Sequence, residues 1–305
     1  MKNIRLITLL LLTICMLFSC ISIKPVNKAI WHIDFGDANT RDNYNTYHKI
    51  NNAHKYATGK GIKIGVIDKY FGYAHNHDLY TGGIDFLKNA SDFDEIGEHG
   101  LWMSTTLREI APDASIYALG ARCSDRNKEK EAIIEAINWA IENEINILSY
   151  SGPAFRLIDR PMIDSAIRIA ISHGIITTFI HYDLPENILP YGFFSSKAES
   201  YNREPDINIF HFDYNVLLIP RYEKWIKTGR IQTDRIGDLP YFSFSSMSPV
   251  LAGIVALILE IKPDLSETEI KKILNVTCYQ LEYDKKLIKQ VIDAEAAVKY
   301  TIQIK

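Results

Sequence analysis

The segment Phe242–Glu260 reads FSFSSMSPVLAGIVALILE and places four serines directly before a long apolar run. Ser248 followed by Pro249 is typical of a helix N-terminus, with serine as the cap and proline at the first helical position. The run Val250–Leu259 is apolar on every face, which predicts a buried helix. The serines are therefore either structural or include a nucleophile, and a nucleophilic serine needs a base from elsewhere in the chain.

Strands and helices alternate along the chain. Short β-branched runs predict strands, and segments with apolar residues at helical spacing predict helices. The predicted strands are Gly61–Asp68, Ser115–Ala121, Ile145–Gly152, Ile175–Ile180, Ile207–Phe212 and Asn215–Pro220. The predicted helices are Glu129–Glu144, Asp164–Gly174, Val250–Leu259 and Ser266–Val276, the last with a capping box. This order implies an α/β fold whose mostly parallel sheet is covered by helices on both faces.

Three polar residues lie where the active groups of such a sheet gather, at the carboxyl ends of its strands. Asp68 closes the first predicted strand, His99 lies in a glycine-flanked loop, and Ser245 precedes the buried helix. An acid, an imidazole and a serine can form a triad in which the acid orients histidine and histidine takes the serine proton. Each residue alone also has a structural explanation, as a cap or as a loop residue.

Four segments, in this order, resemble the successive motifs of the subtilisin-like serine peptidases. They are TGKGIKIGVID (58–68), EHGLWMSTTLREIAPDASIYAL (98–119), AINWAIENEINILSYSG (136–152) and SFSSMSPVLAGIVALIL (243–259). The resemblance spans most of residues 31–300 and implies a three-layer αβα fold with a mostly parallel central sheet. It also implies that Asp68, His99 and Ser245 are catalytic, that Ser151 and Gly152 line the substrate groove, and that Ser248 is structural.

The N-terminus, MKNIRLITLLLLTICMLFSC, has a basic start and a short apolar run, as an export signal does. Its end, LFSC, resembles a bacterial lipobox, which implies cleavage before Cys20 and acylation of that cysteine. The alternative is that Cys20 is one more apolar residue of a signal or anchor. We therefore expect a signal peptide at 1–19, an anchor and linker at 20–30, and a peptidase domain at 31–305. The expected location is the bacterial cell envelope, on a lipid bilayer.

The composition argues against nucleic-acid binding, a disulfide framework and a cysteine metal site. The chain has 305 residues, 47% of them hydrophobic, and a net charge of −3, which suits one globular domain and offers no basic footprint for nucleic acid. Cys123 and Cys278 are too few for a disulfide framework and lack metal-ligand spacing. No cofactor is expected, and structural calcium sites, frequent in the resembled family, are not assignable from the sequence.

Three functions are compatible with these features. The first is a serine endopeptidase acting on extracytoplasmic proteins or peptides. The second is a pseudoprotease that binds peptide or a protein partner in the same groove, and the third is an unrelated doubly wound binding lipoprotein. The pseudoprotease gains weight from departures from the family motif, because Ser243 and Phe244 replace the glycine and threonine before the nucleophile.

A further departure follows Gly174, where counting places Asp183 at the position of the oxyanion asparagine, with Asn187 as a substitute. An ionised carboxylate there repels the developing oxyanion, whereas a protonated one can donate a hydrogen bond to it. One branch of the resembled family, among the proprotein convertases, carries aspartate at this position, so the change is compatible with activity.

Asp183→Asn is expected to raise peptidase turnover by up to about 100-fold, since one oxyanion donor is worth about 10²–10³-fold, with subtilisin itself as the reference case. Turnover of a generic peptide substrate, measured from about pH 5 to 9 for both forms, tests this. Asn187→Ala is the matched control. If that variant is slow while Asp183→Asn is unchanged, Asn187 supplies the donor and the assignment of Asp183 is wrong.

Overall fold

The computed structural model describes residues 30–32, 47–76, 78–88, 93–94, 99–152, 160–179, 197–201, 206–211, 215–226, 239–241, 244–283 and 286–304. Its strands are β1 Ile30–His32, β2 Lys63–Asp68, β3 Gly82–Asp85, β4 Ser115–Gly120, β5 Ile147–Tyr150, β6 Ile176–Phe179, β7 Lys197–Tyr201, β8 Asp206–His211, β9 Val216–Ile226, β10 Leu239–Tyr241, β11 Tyr279–Tyr283 and β12 Lys286–Val291. Its α-helices are α1 Ile50–Ala53, α2 His99–Ile110, α3 Arg126–Glu142, α4 Arg160–Ser172, α5 Met247–Ile261, α6 Glu267–Thr277 and α7 Ala294–Gln303.

A parallel sheet forms the centre of the fold. Within the described residues it has five strands in the order β3, β4, β2, β5, β6, and every neighbouring pair runs parallel. The middle strand β2 is buried over most of its length, as expected for a sheet covered on both faces. A Cβ at Gly65 would lie 2.8 Å from Leu119 and 2.9 Å from Leu148, so glycine allows the side chains of β4 and β5 to pack across β2.

Helices cover both faces of this sheet, as the sequence predicts. Because side chains alternate along a strand, Ile64 and Val66 pack in the core shared with α2 and α5, whereas Ile67 packs with α3 and α4. Helix α5 is buried from Met247 to Leu259, which confirms the helix predicted from the apolar run. A Cβ at Gly253 would lie 2.5 Å from Ile110, so glycine permits α5 to lie close against α2.

The remaining strands form a second sheet, in the order β1, β11, β12, β9, β8, β7, with β10 on β9. The alternating pattern of strands and helices predicts β8 and β9 as part of the mostly parallel sheet. They instead pair antiparallel in this second sheet, with Asp206 opposite Arg221 and His211 opposite Val216. The reason is the chain length between them. Four residues separate β8 from β9, which suits a hairpin, whereas a parallel crossover needs a dozen or more.

Two carboxylates bind backbone N–H groups and fix the surrounding loops. Glu260, at the end of α5, accepts hydrogen bonds from Thr58, Gly59 and Lys60 at 2.6, 2.6 and 3.0 Å, and so ties the loop before β2 to α5. Glu269 forms the predicted capping box with Ser266 at the start of α6. No helix in the described part of the chain is long and apolar enough to cross a membrane.

Candidate active site

The parallel strands end at an edge where the three predicted triad residues meet. Asp68 is the last residue of β2, and its side chain is fully buried. It follows Ile64 and Val66 by steps of two, so it points to the same face of the sheet as they do, the face covered by α2. His99 is the first residue of α2, and Ser245 lies in a short 3₁₀ turn that leads into α5.

The side chains form a chain of two hydrogen bonds. His99 Nδ1 lies 2.6 Å from Asp68 Oδ2, and His99 Nε2 lies 2.9 Å from Ser245 Oγ. With Asp68 ionised, Nδ1–H donates to the carboxylate, and Nε2 is left to accept the serine proton. The arrangement can therefore activate Ser245 as a nucleophile.

The position of His99 depends on the loop that follows β2. The N–H groups of Gly100 and Leu101, in the first turn of α2, donate to the carbonyls of Lys69 and Tyr70 at 2.8 and 3.1 Å. Tyr70 takes a left-handed conformation, φ 59°, which turns the chain back toward the helix. A Cβ at Gly100 would lie 2.6 Å from the Lys69 carbonyl oxygen, so only glycine permits this close approach.

Charge holds Asp68 in its ionised form. Burial acts to raise its pKa, but the charge and hydrogen bond of His99, the Arg122 guanidinium and the Lys69 N–H together leave the pKa below its usual value. Arg122 Nη1 donates to Asp68 Oδ1 at 3.0 Å, and the Lys69 N–H donates to the same oxygen at 2.9 Å. Arg122 was not among the predicted site residues, although its position just beyond the carboxyl end of β4 was an available signal.

Ser248 is structural, but it is not the helix cap that the sequence suggested. Helix α5 begins one residue earlier, at Met247, and its cap residue Ser246 makes no capping hydrogen bond through its side chain. Ser248 Oγ instead donates to the Thr178 carbonyl at 2.5 Å and lies 2.8 Å from Ser149 Oγ. These contacts attach the start of α5 to β5 and β6.

The two predicted groove residues follow β5. Ser151 Oγ donates to the Ser245 carbonyl at 2.8 Å, so it also holds the turn that carries Ser245. A Cβ at Gly152 would lie 2.0 Å from the Tyr150 hydroxyl, which leaves room for glycine alone. The predicted oxyanion residue Asp183, its alternative Asn187 and the predicted lipidation site Cys20 lie outside the described residues. The described residues contain no group of three or more His, Cys, Asp or Glu side chains that could hold a metal ion.

Curated proteins with similar sequences include several subtilisins. Subtilisin DY of Bacillus licheniformis is 23% identical over 270 residues, which cover 78% of this chain and 91% of that protein. Subtilisin E of Bacillus subtilis (strain 168) is 26% identical over 126 residues, 37% of this chain. That second match spans 33% of the length of subtilisin E. No family model matches the chain.

Solved structures show the same architecture. A lanthipeptide protease superposes with a TM-score of 0.57 at 14% identity, covering 84% of this chain and 93% of that one. Fervidolysin from Fervidobacterium pennivorans, a keratinolytic enzyme related to subtilisin, superposes with a TM-score of 0.53 at 15% identity, covering 81% and 44%. The chain has a subtilisin-like fold. The resemblance and the fold class predicted from the four sequence motifs are therefore confirmed.

Within this subtilisin-like fold, each residue of the hydrogen-bonded chain is held by its own element. Asp68 is fixed by the central strand β2, His99 by the backbone bonds at the start of α2, and Ser245 by the anchored start of α5. Small backbone shifts at any of the three therefore separate the side chains.

Gly100→Ala is expected to slow labelling of Ser245 by a fluorophosphonate, a reagent selective for activated serines, by about 100-fold. The added Cβ must push α2 away from the Lys69 carbonyl, and a misplacement of about 1 Å costs this much. Gly174→Ala is the control, since it strains a residue at φ 84° that has no close neighbour around its Cβ position. It should lower the melting temperature without slowing labelling of the folded protein. Labelling of Gly100→Ala at the wild-type rate would show that Gly100 does not position His99.

Proposed function

We propose that this protein is a serine endopeptidase that hydrolyses extracytoplasmic proteins or peptides through Asp68, His99 and Ser245. The observation that carries this proposal is the continuous hydrogen-bonded chain from the buried carboxylate through the imidazole to the serine hydroxyl. A surface serine or a helix cap needs no such partner. The similarity to subtilisins supports the same reaction class.

In the proposed reaction, Ser245 Oγ attacks the carbonyl carbon of the scissile peptide while His99 Nε2 takes the hydroxyl proton. Asp68 keeps Nδ1 protonated and stabilises the imidazolium that forms. The C–N bond then breaks, and His99 returns the proton to the departing amine, which leaves an acyl ester on Ser245. Water, deprotonated by His99, hydrolyses this ester and restores the hydroxyl.

The negative oxygen of the tetrahedral intermediate needs hydrogen-bond donors or positive potential. Ser245 lies two residues before α5, and the N-terminus of a helix carries a partial positive charge that favours a nearby anion. Asp183, in its protonated form, is the proposed additional donor. Ser151 and Gly152 are proposed to line the groove that receives the substrate next to Ser245.

The second candidate function is a pseudoprotease that binds a peptide or a protein partner without turnover. It is favoured by the substitution of Ser243 and Phe244 for small family residues beside Ser245, and by Asp183. A bulkier turn or an ionised Asp183 would weaken the stabilisation of the oxyanion while leaving the groove able to bind. The two functions are separated by whether Ser245 is activated.

A fluorophosphonate probe measures that activation without knowledge of the substrate. We expect the wild type to be labelled, Ser245→Ala not to be labelled, and Ser246→Ala to retain labelling. Ser246 is the matched control because it is the adjacent serine, and its side chain makes no capping hydrogen bond to α5. Labelling that persists in Ser245→Ala contradicts the proposed nucleophile, and an unlabelled, folded wild type favours the pseudoprotease.

We also propose that the mature chain begins at an acylated Cys20 and is held on the cell envelope by its lipid. Dual acylation anchors a protein stably, whereas one chain holds it only marginally. Cys20→Ser should leave the precursor uncleaved, while Cys15→Ser, a cysteine within the same apolar run, should be processed normally. Mass spectrometry of the N-terminal peptide decides, and an unmodified mature N-terminus beyond Cys20 contradicts anchoring.

A further inference from the structure

Asp68 binds a cation, the Arg122 guanidinium, in addition to the His99 imidazole. Its Oδ2 accepts from His99 Nδ1, while its Oδ1 accepts from the Arg122 guanidinium at 3.0 Å and from the Lys69 N–H at 2.9 Å. Both carboxylate oxygens are therefore occupied by donors that come from different segments. In this arrangement the carboxylate cannot rotate toward or away from His99 without breaking a bond to Arg122.

Arg122 is itself buried between two acidic side chains. Its side chain is only 14% exposed, its guanidinium carbon lies 5.9 Å from the centre of the Tyr150 ring, and its Nε lies 3.8 Å from Glu129 Oε1. Glu129, in the first turn of α3, is also buried and bonds Arg126 Nη1 at 3.0 Å. Burying a guanidinium this far is costly unless anions surround it, and Asp68 and Glu129 supply them.

We propose that Arg122 is a positioning residue of the Asp68–His99–Ser245 triad, which fixes the Asp68 carboxylate and sets the charge that the Asp68–His99 pair experiences. The inference rests on the proposed peptidase function. The proposal adds to the three reacting residues a network of buried charges that runs from Asp68 through Arg122 to Glu129 on α3.

The electrostatic consequence has a definite sign. A cation beside the pair disfavours the uptake of a proton by the pair, whichever residue carries it, because the protonated pair is one unit more positive. Burial acts to lower the Arg122 pKa, but Asp68 and the other acidic groups nearby together outweigh it, so the pKa is raised and the cation persists. The groups that face the network from the surrounding elements are His99 on α2, Glu129 and Arg126 on α3, Tyr150 on β5, and Tyr80. Burial raises the pKa of both Tyr80 and Tyr150, so both stay neutral, and Arg122 is the arginine that bonds Asp68 directly.

Four substitutions separate these effects. Arg122→Gln removes the cation, Arg122→Lys keeps the charge but loses the planar donor group, and Glu129→Gln removes the anion that supports Arg122. Arg126→Gln is the matched control, because Arg126 is also an arginine bonded to Glu129 but is about half exposed and makes no contact with Asp68 among the described contacts.

For a peptide substrate, Arg122→Gln should lower kcat by about 10- to 100-fold, the usual worth of a hydrogen bond to a charged group, with a much smaller change in KM. It should also move the acid limb of the pH dependence of kcat/KM upward by about one unit, since the pair gains a proton more easily. Arg122→Lys should keep the acid limb near its wild-type position while kcat falls. Glu129→Gln should move the limb downward or leave it in place, and Arg126→Gln should behave as wild type.

The direction in which the acid limb moves distinguishes an effect of charge on the Asp68–His99 pair from a general loosening of the fold. If Arg122→Gln and Glu129→Gln both move the limb upward, or if Arg122→Gln retains wild-type kcat and acid limb, the proposal is wrong. Circular dichroism melting of each variant identifies loss of folding. If Arg122→Gln does not fold, the other two variants still test the proposal. Arg122→Lys must lower kcat without moving the acid limb, and Glu129→Gln must not move the limb upward.

A second measurement does not depend on turnover. Nitrogen-15 NMR of the His99 imidazole follows protonation of the Asp68–His99 pair directly, and its midpoint should rise by about one unit in Arg122→Gln. If wild-type Ser245 is not labelled but the midpoint rises, the proposed peptidase function fails while the role of Arg122 in the pair stands. If wild-type Ser245 is labelled and the midpoint does not move, the role assigned to Arg122 is wrong and the peptidase function stands.

Discussion

The fully buried carboxylate of Asp68 is the constraint on which the candidate site depends. A buried charge is tolerated only when hydrogen bonds and an opposite charge replace its lost hydration. Here the replacements come from His99, the Lys69 N–H and Arg122, which belong to α2, the loop after β2 and the segment after β4. Three segments at one edge of the sheet are therefore coupled through one side chain, and displacing any of them leaves the charge undercompensated.

The serine side of the site is fixed by packing rather than by charge. Helix α5 lies buried beside α2 on one face of the sheet, with Ser248 bonded to the Thr178 carbonyl and Gly253 allowing contact with Ile110. Because an interior packed to crystal density transmits small shifts, the start of α5 cannot move independently of β6 or α2. The separation between His99 and Ser245 is thus set by two helices that share one core, and the reacting groups need no flexible loop to bring them together.

The central sheet and the triad could be predicted from the sequence because their signals are local or ordered along the chain. Runs of β-branched residues predicted β2, β4, β5 and β6, and the order of the motifs indicated Asp68, His99 and Ser245. Strands β8 and β9 were also predicted, but the second sheet was not, because the periodicity of a strand does not say which strand it pairs with, and partners such as β1 and β11 lie far apart in sequence. Ser248 fits a cap by its neighbours alone, yet the carbonyl that it binds is 70 residues away. Arg122 does lie just beyond a strand end, but an arginine there is usually solvated, so its position alone did not indicate a contact with Asp68.

The proposed mechanism requires opposite protonation states of two carboxyl groups. Asp68 must be ionised to hold the His99 proton, and the structure provides a guanidinium, an imidazole and a backbone N–H to keep it so. Asp183, if it donates to the oxyanion, must instead be protonated, which requires surroundings that lack such donors and cations. Arg122 contributes to this difference, because it is bonded to Asp68, the residue of the proposed triad that orients His99. Its charge then favours the ionised form of the acid beside His99.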